Sequence, residues 1–371
     1  MSPESESDLM EKKTTPTGSF VNTPPTPPPS EEKKLSTSAQ SVLNYFKLHR
    51  KGRRPQSWWQ HRLTPDQYTE VLRVLDGDES LRGYVEDKIR LDYDPRRSRL
   101  TIRMPSPLHD LFCAEVVSKI LNRLTELQKS DEAFGDFARK TKHLSTSRIR
   151  LPNDINDTEQ TYSERCPDAS FIHEYAKYPG VIIEVCYSQK VRAAADLADD
   201  YILDTNTSVN AVIALNIEYR GSKKATISIW RPHKITVDGV KELEAKAVID
   251  MMPFRTESGL PVDDSKQPAL QLSLRDFAPK SISQKYPNLD QDIHISSREL
   301  CDFLSSAEAE HEKQLLDQGV DEPLSPGTRK RRRAQTPPEQ LSSEEESPKN
   351  AMKRGRLTRD SSGLFARGSE S

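Results

Sequence analysis

A carboxylate in the middle of an apolar stretch restricts the fold of this chain more than any other feature. Glu184 interrupts the run Val181-Ile182-Ile183-Glu184-Val185. Because its neighbours are apolar at every position, both faces of the predicted strand are covered, as in the middle of a sheet between two layers. Burying an ionised carboxylate there costs several kcal/mol unless a cation or a metal ion compensates it. The run therefore predicts a covered sheet with a functional charge at its centre.

The segments around this strand alternate between helical and strand-like patterns. Ser106 is predicted to cap a helix whose apolar residues recur about every four positions from Leu108 to Leu127. Three predicted strands follow, at RIRL, PDASFIHE and VIIEVCYS, then a helix at KVRAAADLADDYILD and two strands at NAVIALNIEY and ATISIWRP. This order predicts an α/β fold with a mixed sheet flanked by helices.

Composition divides the chain into five regions. Only 34% of the 371 residues are hydrophobic and 26 are proline, which indicates a globular core between long polar segments. We predict a disordered tail rich in Pro, Ser and Thr at 1–40, N-terminal helices and a β-hairpin packed on the core at 41–105, the α/β core at 106–232, an extension of that domain at 233–318 and a disordered charged tail at 319–371.

Several classes of protein are disfavoured. The four cysteines are far apart without a CxxC pair, so neither a zinc site nor a disulfide framework is expected. No apolar run approaches the roughly 18 residues of a membrane span, and the N-terminus lacks the apolar segment of a signal peptide. We expect a reducing, intracellular compartment and no membrane partner. The formal net charge of -2 means that any attraction for nucleic acid is local.

A second carboxylate, Asp168, is predicted on the strand before that of Glu184, with a turn at Tyr178-Pro179-Gly180 between them. Two carboxylates that converge at one end of adjacent strands suit Mg²⁺ or Mn²⁺. The alternatives are that Asp168 is a turn residue before its strand and that Glu184 forms a structural ion pair with Lys190 or Arg192.

Pro167-Asp168, followed by Glu184-Val185 and Tyr187-Ser188-Gln189, resembles the PD-(D/E)xK superfamily of restriction-endonuclease-like nucleases. More narrowly, the pattern is similar to fungal restriction-endonuclease-like proteins and to the Uma2-type family, over residues 88–232. The resemblance implies that Asp168 and Glu184 hold Mg²⁺ or Mn²⁺ and that DNA or RNA phosphodiesters are hydrolysed. It also implies a contribution from the helix before the sheet, where His109 and Asp110 lie.

The sequence departs from this motif where the superfamily has a lysine, because Cys186 stands there. Lys190, at the start of the next helix, is our first substitute, and Gln189 is the second. Cysteine supplies no fixed positive charge, so two alternatives stay open. The chain is then either an inactive nuclease-fold module that binds nucleic acid or protein, or an interaction scaffold with an unrelated α/β core.

Two basic clusters lie in the predicted C-terminal tail. They comprise Arg329, Lys330, Arg331, Arg332 and Arg333, and then Lys353, Arg354 and Arg356. Consecutive cations in a flexible, proline-flanked segment predict nuclear localisation through an import receptor, or an arm that contacts nucleic-acid phosphates. A solvated charge run, balanced by nearby glutamates, is the alternative.

Near the N-terminus, Trp58 and Trp59 follow the basic segment Lys51-Gly52-Arg53-Arg54. Such a tryptophan pair is predicted to anchor the first helix. The alternative is a surface that stacks on nucleic-acid bases.

Overall fold

A computed structural model describes residues 34–53, 58–153, 162–187, 191–218, 221–263 and 268–331. The chain up to Leu316 forms one compact unit, and the residues from Asp317 onward form a second. In that second unit, the described residues are exposed and contain no helix or strand. Most of the two predicted tails, residues 1–33 and 332–371, lies outside the described residues.

The N-terminal region forms three helices and three strands. These are α1 (Thr37–Arg50), β1 (Trp58–Arg62), α2 (Pro65–Asp76), α3 (Glu79–Lys88), β2 (Arg90–Asp94) and β3 (Arg99–Arg103). Helix α2 begins after Thr64, whose hydroxyl accepts a hydrogen bond from the Gln67 amide, with Pro65 in the first turn. The ring of Trp59 stacks on that of Tyr45 in α1, with 4.6 Å between centroids, as expected of a helix anchor.

The rest of the compact unit follows the predicted order and adds short elements. It contains α4 (Pro107–Gln128), α5 (Ala133–Arg139), β4 (Thr141–His143), β5 (Ile149–Pro152), β6 (Tyr162–Arg165), β7 (Ala169–His173), β8 (Val181–Tyr187), α6 (Val191–Leu203), β9 (Ala211–Ile217), β10 (Ala225–Val237), β11 (Val240–Arg255), β12 (Leu270–Ser273), a 3-10 helix (Leu274–Phe277), α7 (Lys280–Ser283), β13 (Asp292–Ile295) and α8 (Ser297–Leu315).

Two larger sheets are formed by the described residues. The first has six strands in the order β11-β10-β9-β8-β7-β4, and it is mixed because β8 and β9 are parallel while the other neighbours are antiparallel. The second has five antiparallel strands in the order β1-β3-β2-β6-β5. A further two-stranded sheet joins β12 and β13. The predicted α/β class with a mixed sheet and flanking helices is confirmed.

Helices cover both faces of the six-stranded sheet. On one face, Ile183 and Ile213 are buried in one core with Phe112 of α4. On the other face, Ile182 belongs to a core with Ala198 of α6. The C-terminal helix α8, which lies in the predicted extension, belongs to the first core because its leucines Leu300 and Leu304 are fully buried there. The strand with Glu184 therefore lies in the middle of a covered sheet.

Gly180 connects β7 to β8 where the 3-10 helix passes close to the backbone. A Cβ atom at this position would overlap with the carbonyl groups of Asp276 and Phe277. We expect Gly180→Ala to lower the free energy of unfolding by about 2 kcal/mol, because backbone atoms must move apart. Urea denaturation measures this. Gly83→Ala in helix α3 is the matched control, because an added Cβ atom there has no neighbouring atom within 4 Å. We expect this control to raise the free energy of unfolding slightly. Equal effects of the two substitutions would contradict the argument.

Candidate charged site at the acidic pair

Strands β7 and β8 bring the two predicted carboxylates to the same end of the sheet. The strands pair in antiparallel register with Ala169 opposite Ile183. Asp168 lies one residue before β7 rather than inside the strand that the sequence suggested, and its Oδ2 accepts a hydrogen bond from the Val185 amide at 2.7 Å. The two side chains are thus neighbours across the strand pair.

Glu184 is 1% exposed and has two side-chain donors. Nη1 of Arg103 donates to Oε2 at 2.8 Å, and the Tyr201 hydroxyl of α6 donates to Oε1 at 2.9 Å. Of the partners that the sequence suggested for a structural ion pair, Lys190 lies outside the described residues, and so does the Arg192 side chain. The ion pair observed is made by β3, far earlier in the chain.

Asp168 is held by three donors. Nη1 of Arg90 donates to Oδ1 at 2.7 Å, and Nε2 of His109 lies 3.0 Å from Oδ2. Since a carboxylate oxygen accepts, the imidazole donates this bond. The third donor is the Val185 amide. His109 belongs to the first turn of α4, where the Ser106 cap fixes the start of the helix.

Arg103 is the centre of the charged site. Its Nη1 lies 2.8 Å from Glu184 Oε2 and 4.0 Å from Asp168 Oδ1, so the two carboxylates meet at one guanidinium nitrogen. Its Nε is 3.0 Å from Oδ2 of Asp92 on β2, and its Nη2 donates to the Cys166 carbonyl. A single guanidinium therefore lies within 4.0 Å of three carboxylates, and Arg90 and His109 add positive charge at Asp168.

The pKa values of these groups follow from burial and from this arrangement of charges. Burial opposes ionisation of Asp168, but His109, Arg103 and Arg90 outweigh it and hold the pKa of Asp168 well below its usual range. Burial raises the pKa of Glu184 to about 7, against the attraction of Arg103. Burial lowers the pKa of His109, but Asp168 and hydrogen bonds to carboxylates raise it to about 9. Asp168 is thus ionised, and His109 is a cation at neutral pH.

A second group of ion pairs fixes the β2–β3 hairpin to α6. Nη2 of Arg96 lies 2.8 Å from Asp200 Oδ1 and 2.9 Å from Asp204 Oδ2. Arg165, which is 3% exposed, approaches Asp200 Oδ2 at 2.5 Å from the end of β6. The hairpin that carries Arg90 and Arg103 is therefore held close to the six-stranded sheet by charges as well as by packing.

The donor set does not fit a divalent cation. Every carboxylate oxygen of Asp168 and Glu184 already accepts a hydrogen bond, and Arg103 lies between the two groups. In the described parts of the chain, no three His, Cys, Asp or Glu side chains are grouped so that they could hold a metal ion. A metal ion shared by these two carboxylates would require the guanidinium to leave.

A small cavity of about 80 Å³ opens above the site. The polar part of its lining includes Arg90, Arg103, His109 and Asp168, and its apolar part includes Trp58 of β1. Cys186, at the position of the lysine in the nuclease motif, also lines the cavity. The cations near the acidic pair therefore come from the N-terminal region and α4, while β8 contributes a thiol in place of a lysine.

The predicted site residues have different outcomes. Asp168, Glu184 and His109 lie together, and Asp110 joins them through Arg90, whose Nη2 is 3.0 Å from Asp110 Oδ1. In the basic clusters, Arg329, Lys330 and Arg331 are exposed. The remaining predicted residues lie outside the described part of the chain: Gln189, Lys190, Arg332, Arg333, Lys353, Arg354 and Arg356.

Sequence reasoning missed Arg90, Asp92, Arg103 and Tyr201. The hairpin alternates charged and apolar residues, a pattern that normally indicates a polar face in water. In this protein the polar face is turned towards α6 and the acidic pair. Tyr201 lies in a predicted helix among apolar residues, and its hydroxyl contact with Glu184 has no sequence signal.

Among the described residues, no helix combines the length and the apolar character needed to cross a bilayer. A comparison with protein-family models finds no match, and a comparison with curated proteins finds none either.

Proposed function

We propose that this chain is a nuclease-like module that binds nucleic acid without hydrolysing it, because an arginine takes the position of the catalytic metal ion. The observation that carries the proposal is the contact of Arg103 Nη1 with Glu184 at 2.8 Å and its distance of 4.0 Å from Asp168. In a buried site, a guanidinium that hydrogen-bonds to carboxylates compensates their charge, as a bound cation does. Cys186 at the motif lysine position also favours an inactive site.

A metal-dependent nuclease, which the motif resemblance implies, is the second candidate. The convergence of Asp168 and Glu184 at one end of two strands favours it, because a shared cation requires such an approach. It requires Arg103 to leave the pair when the metal binds. It also requires Lys190 or Gln189 to supply the missing polar group, and neither belongs to the described residues. We therefore rank hydrolysis below binding.

Nucleic acid is our proposed partner because of the motif resemblance and because of exposed cations near the cavity. Inside the cavity, Arg90, Arg103 and His109 are engaged by buried carboxylates, so we assign the phosphate contacts to cations outside it. Lys51 and Arg53 are exposed shortly before β1, the strand that carries Trp58 to the cavity wall. Contacts of such cations with phosphates are independent of sequence and depend on salt. We further propose nuclear import through the cluster that begins at Arg329, which agrees with its exposure.

Calorimetry and cleavage assays separate the two candidate functions. We expect the wild-type chain to bind neither Mg²⁺ nor Mn²⁺ at the acidic pair and to leave single-stranded DNA, double-stranded DNA and RNA uncut. Metal binding that is abolished by both Asp168→Ala and Glu184→Ala, together with cleavage, would show that hydrolysis is the function.

Binding is tested with fluorescent oligonucleotides at low and moderate salt. Lys51→Glu combined with Arg53→Glu is expected to weaken binding roughly tenfold and to lower the salt dependence by about two phosphate contacts. Lys129→Glu combined with Arg298→Glu makes the same change in charge at other exposed positions and is expected to have a smaller effect. A chain that binds no oligonucleotide at low salt would leave a protein partner as the function of the module.

A further inference from the structure

The strand β11 forms one end of the six-stranded sheet, and most of its N-terminal half is exposed, although Ala245 packs against the core that includes α6. Beyond Trp230, residues 231–247 of the β10–β11 hairpin are exposed or half-buried. The hairpin closes with Val237 opposite Val240. Asp238 and Gly239 connect them with φ angles of 51° and 81°, as in a type I′ turn. Among the described residues, the second edge of β11 has a bridge only at its C-terminal end, between Arg255 and Pro261, and no strand pairs with that edge along the N-terminal half.

The geometry of the turn determines which residues direct their backbone groups to that edge. In a two-residue hairpin, the closing pair exchanges hydrogen bonds across the ladder, and every second residue does the same. Counted from Val240, the even-numbered residues bond to β10. The odd-numbered residues Lys241, Leu243, Ala245 and Ala247 then direct their N–H and C=O groups outward.

We propose that two copies of this chain associate through antiparallel pairing of their β11 edges, with the two-fold axis at Ala245. The six-stranded sheets then form one continuous twelve-stranded sheet. This inference is independent of the proposed nucleic-acid binding, since it uses a different surface. The argument for the second copy as the occupant is the charge pattern of the strand.

The odd-numbered residues of one copy must lie opposite odd-numbered residues of the other, because only these direct backbone N–H and C=O groups to the free edge. The two-fold axis must therefore pass through a residue and not between two residues. An axis at Leu243 sets Glu242 opposite Glu244 of the second copy. An axis at Glu244 sets that glutamate opposite itself, although it also sets Glu242 opposite Lys246. An axis at Lys246 sets that lysine opposite itself. Like charges directly opposite each other destabilise a strand pair, so these three registers are disfavoured.

The axis at Ala245 is the register of these four that avoids every like-charge pair. It sets Glu244 opposite Lys246 of the second copy, twice by symmetry, and Leu243 opposite Ala247. Lys246 is exposed, and the Glu244 side chain is 45% exposed, so both can reach across. Charged residues on an edge strand normally prevent association. On this strand they exclude the wrong registers and select one.

Analytical ultracentrifugation of the full chain tests the proposal, with a concentration-dependent dimer expected for the wild type. Lys246→Glu alone and Glu244→Lys alone are each expected to raise the dimer dissociation constant roughly tenfold, because two attractive pairs become repulsive. An equal mixture of these two variants is expected to form a heterodimer as tightly as the wild type pairs, since both contacts are again attractive.

Lys234→Glu is the matched control. It makes the same change in charge on β10 of the same hairpin, opposite Leu243 within the chain, and we expect it to leave the dimer unchanged. The proposal is overturned if the wild type is monomeric at all accessible concentrations, if the dimer tolerates both single variants, or if their mixture does not associate. The mixture also distinguishes a lost charge pair from misfolding, because a variant with a misfolded β10–β11 hairpin would not form the heterodimer.

Discussion

Replacing Arg103 with methionine is expected to lower the free energy of unfolding by about 3–5 kcal/mol, because it leaves a buried set of charges uncompensated. Asp92, Asp168 and Glu184 all approach this guanidinium, and their side chains are at most 10% exposed. Methionine retains the length and apolar stem of the side chain. Urea denaturation at neutral pH measures the loss. A loss below about 1 kcal/mol would contradict the central role of Arg103.

The same variant has a matched control and a second readout. Arg123→Met removes an exposed ion pair with Glu126 on α4 and is expected to cost less than about 1 kcal/mol. In Arg103→Met, the acidic pair lacks its guanidinium, so Mn²⁺ is expected to raise the thermal midpoint of the variant, as a ligand of the folded state does. The wild type is expected to show no such rise. An equal rise in both proteins would mean that Arg103 does not exclude the metal.

The free energy of unfolding is expected to fall by up to about 3 kcal/mol as the pH rises from 6.5 to 9, because folding raises the pKa of His109. The folded protein holds a proton on His109 up to about pH 9, while the imidazole of the unfolded chain loses it near 6.5. The stabilisation is complete below pH 6.5 and is lost as the pH passes through 9. Chemical denaturation across this range measures the slope.

Glu184 adds to this decline at lower pH. Its pKa rises from 4.5 to about 7 on folding, so its contribution is lost as the pH increases through that window. Asp168 acts in the opposite sense, because its lowered pKa gives stability that disappears on acidification. His109→Gln is expected to flatten the profile between pH 6.5 and 9, whereas His294→Gln, on the exposed part of β13, is expected to leave it unchanged. An unaltered slope in His109→Gln would refute the assignment.

The acidic pair could be found from the sequence because it violates a local rule. Glu184 is conspicuous in an apolar run, and Asp168 follows a proline at the start of the preceding predicted strand. The helix α4 was equally visible, since Ser106, its proline and its apolar spacing agree. Such signals are contained within about twenty residues of chain, which is the range over which helical and strand periodicity can be recognised.

The cation at the pair could not be found in this way. Arg103 lies 81 positions before Glu184, and its strand has the alternation of a solvent-exposed hairpin. Whether the polar face of that hairpin meets water or the six-stranded sheet depends on how two sheets pack, which no local pattern encodes. The edge strand β11 was also obscured. Its charges weaken the strand signal, and the sequence suggested only an appended element there.

The ion pairs between the two sheets also limit where this chain can be joined to a related chain in a chimera. The β2–β3 hairpin supplies Arg90 and Arg103, while Asp168 lies just before β7 and Glu184 lies on β8. A chimera joined between Arg103 and Ser106 would take the two arginines from one parent and Asp168 and Glu184 from the other. Such a chimera is expected to fold only if both parents carry arginines and carboxylates at matching positions. Substitutions in the hairpin and in the larger sheet are therefore expected to depend on each other.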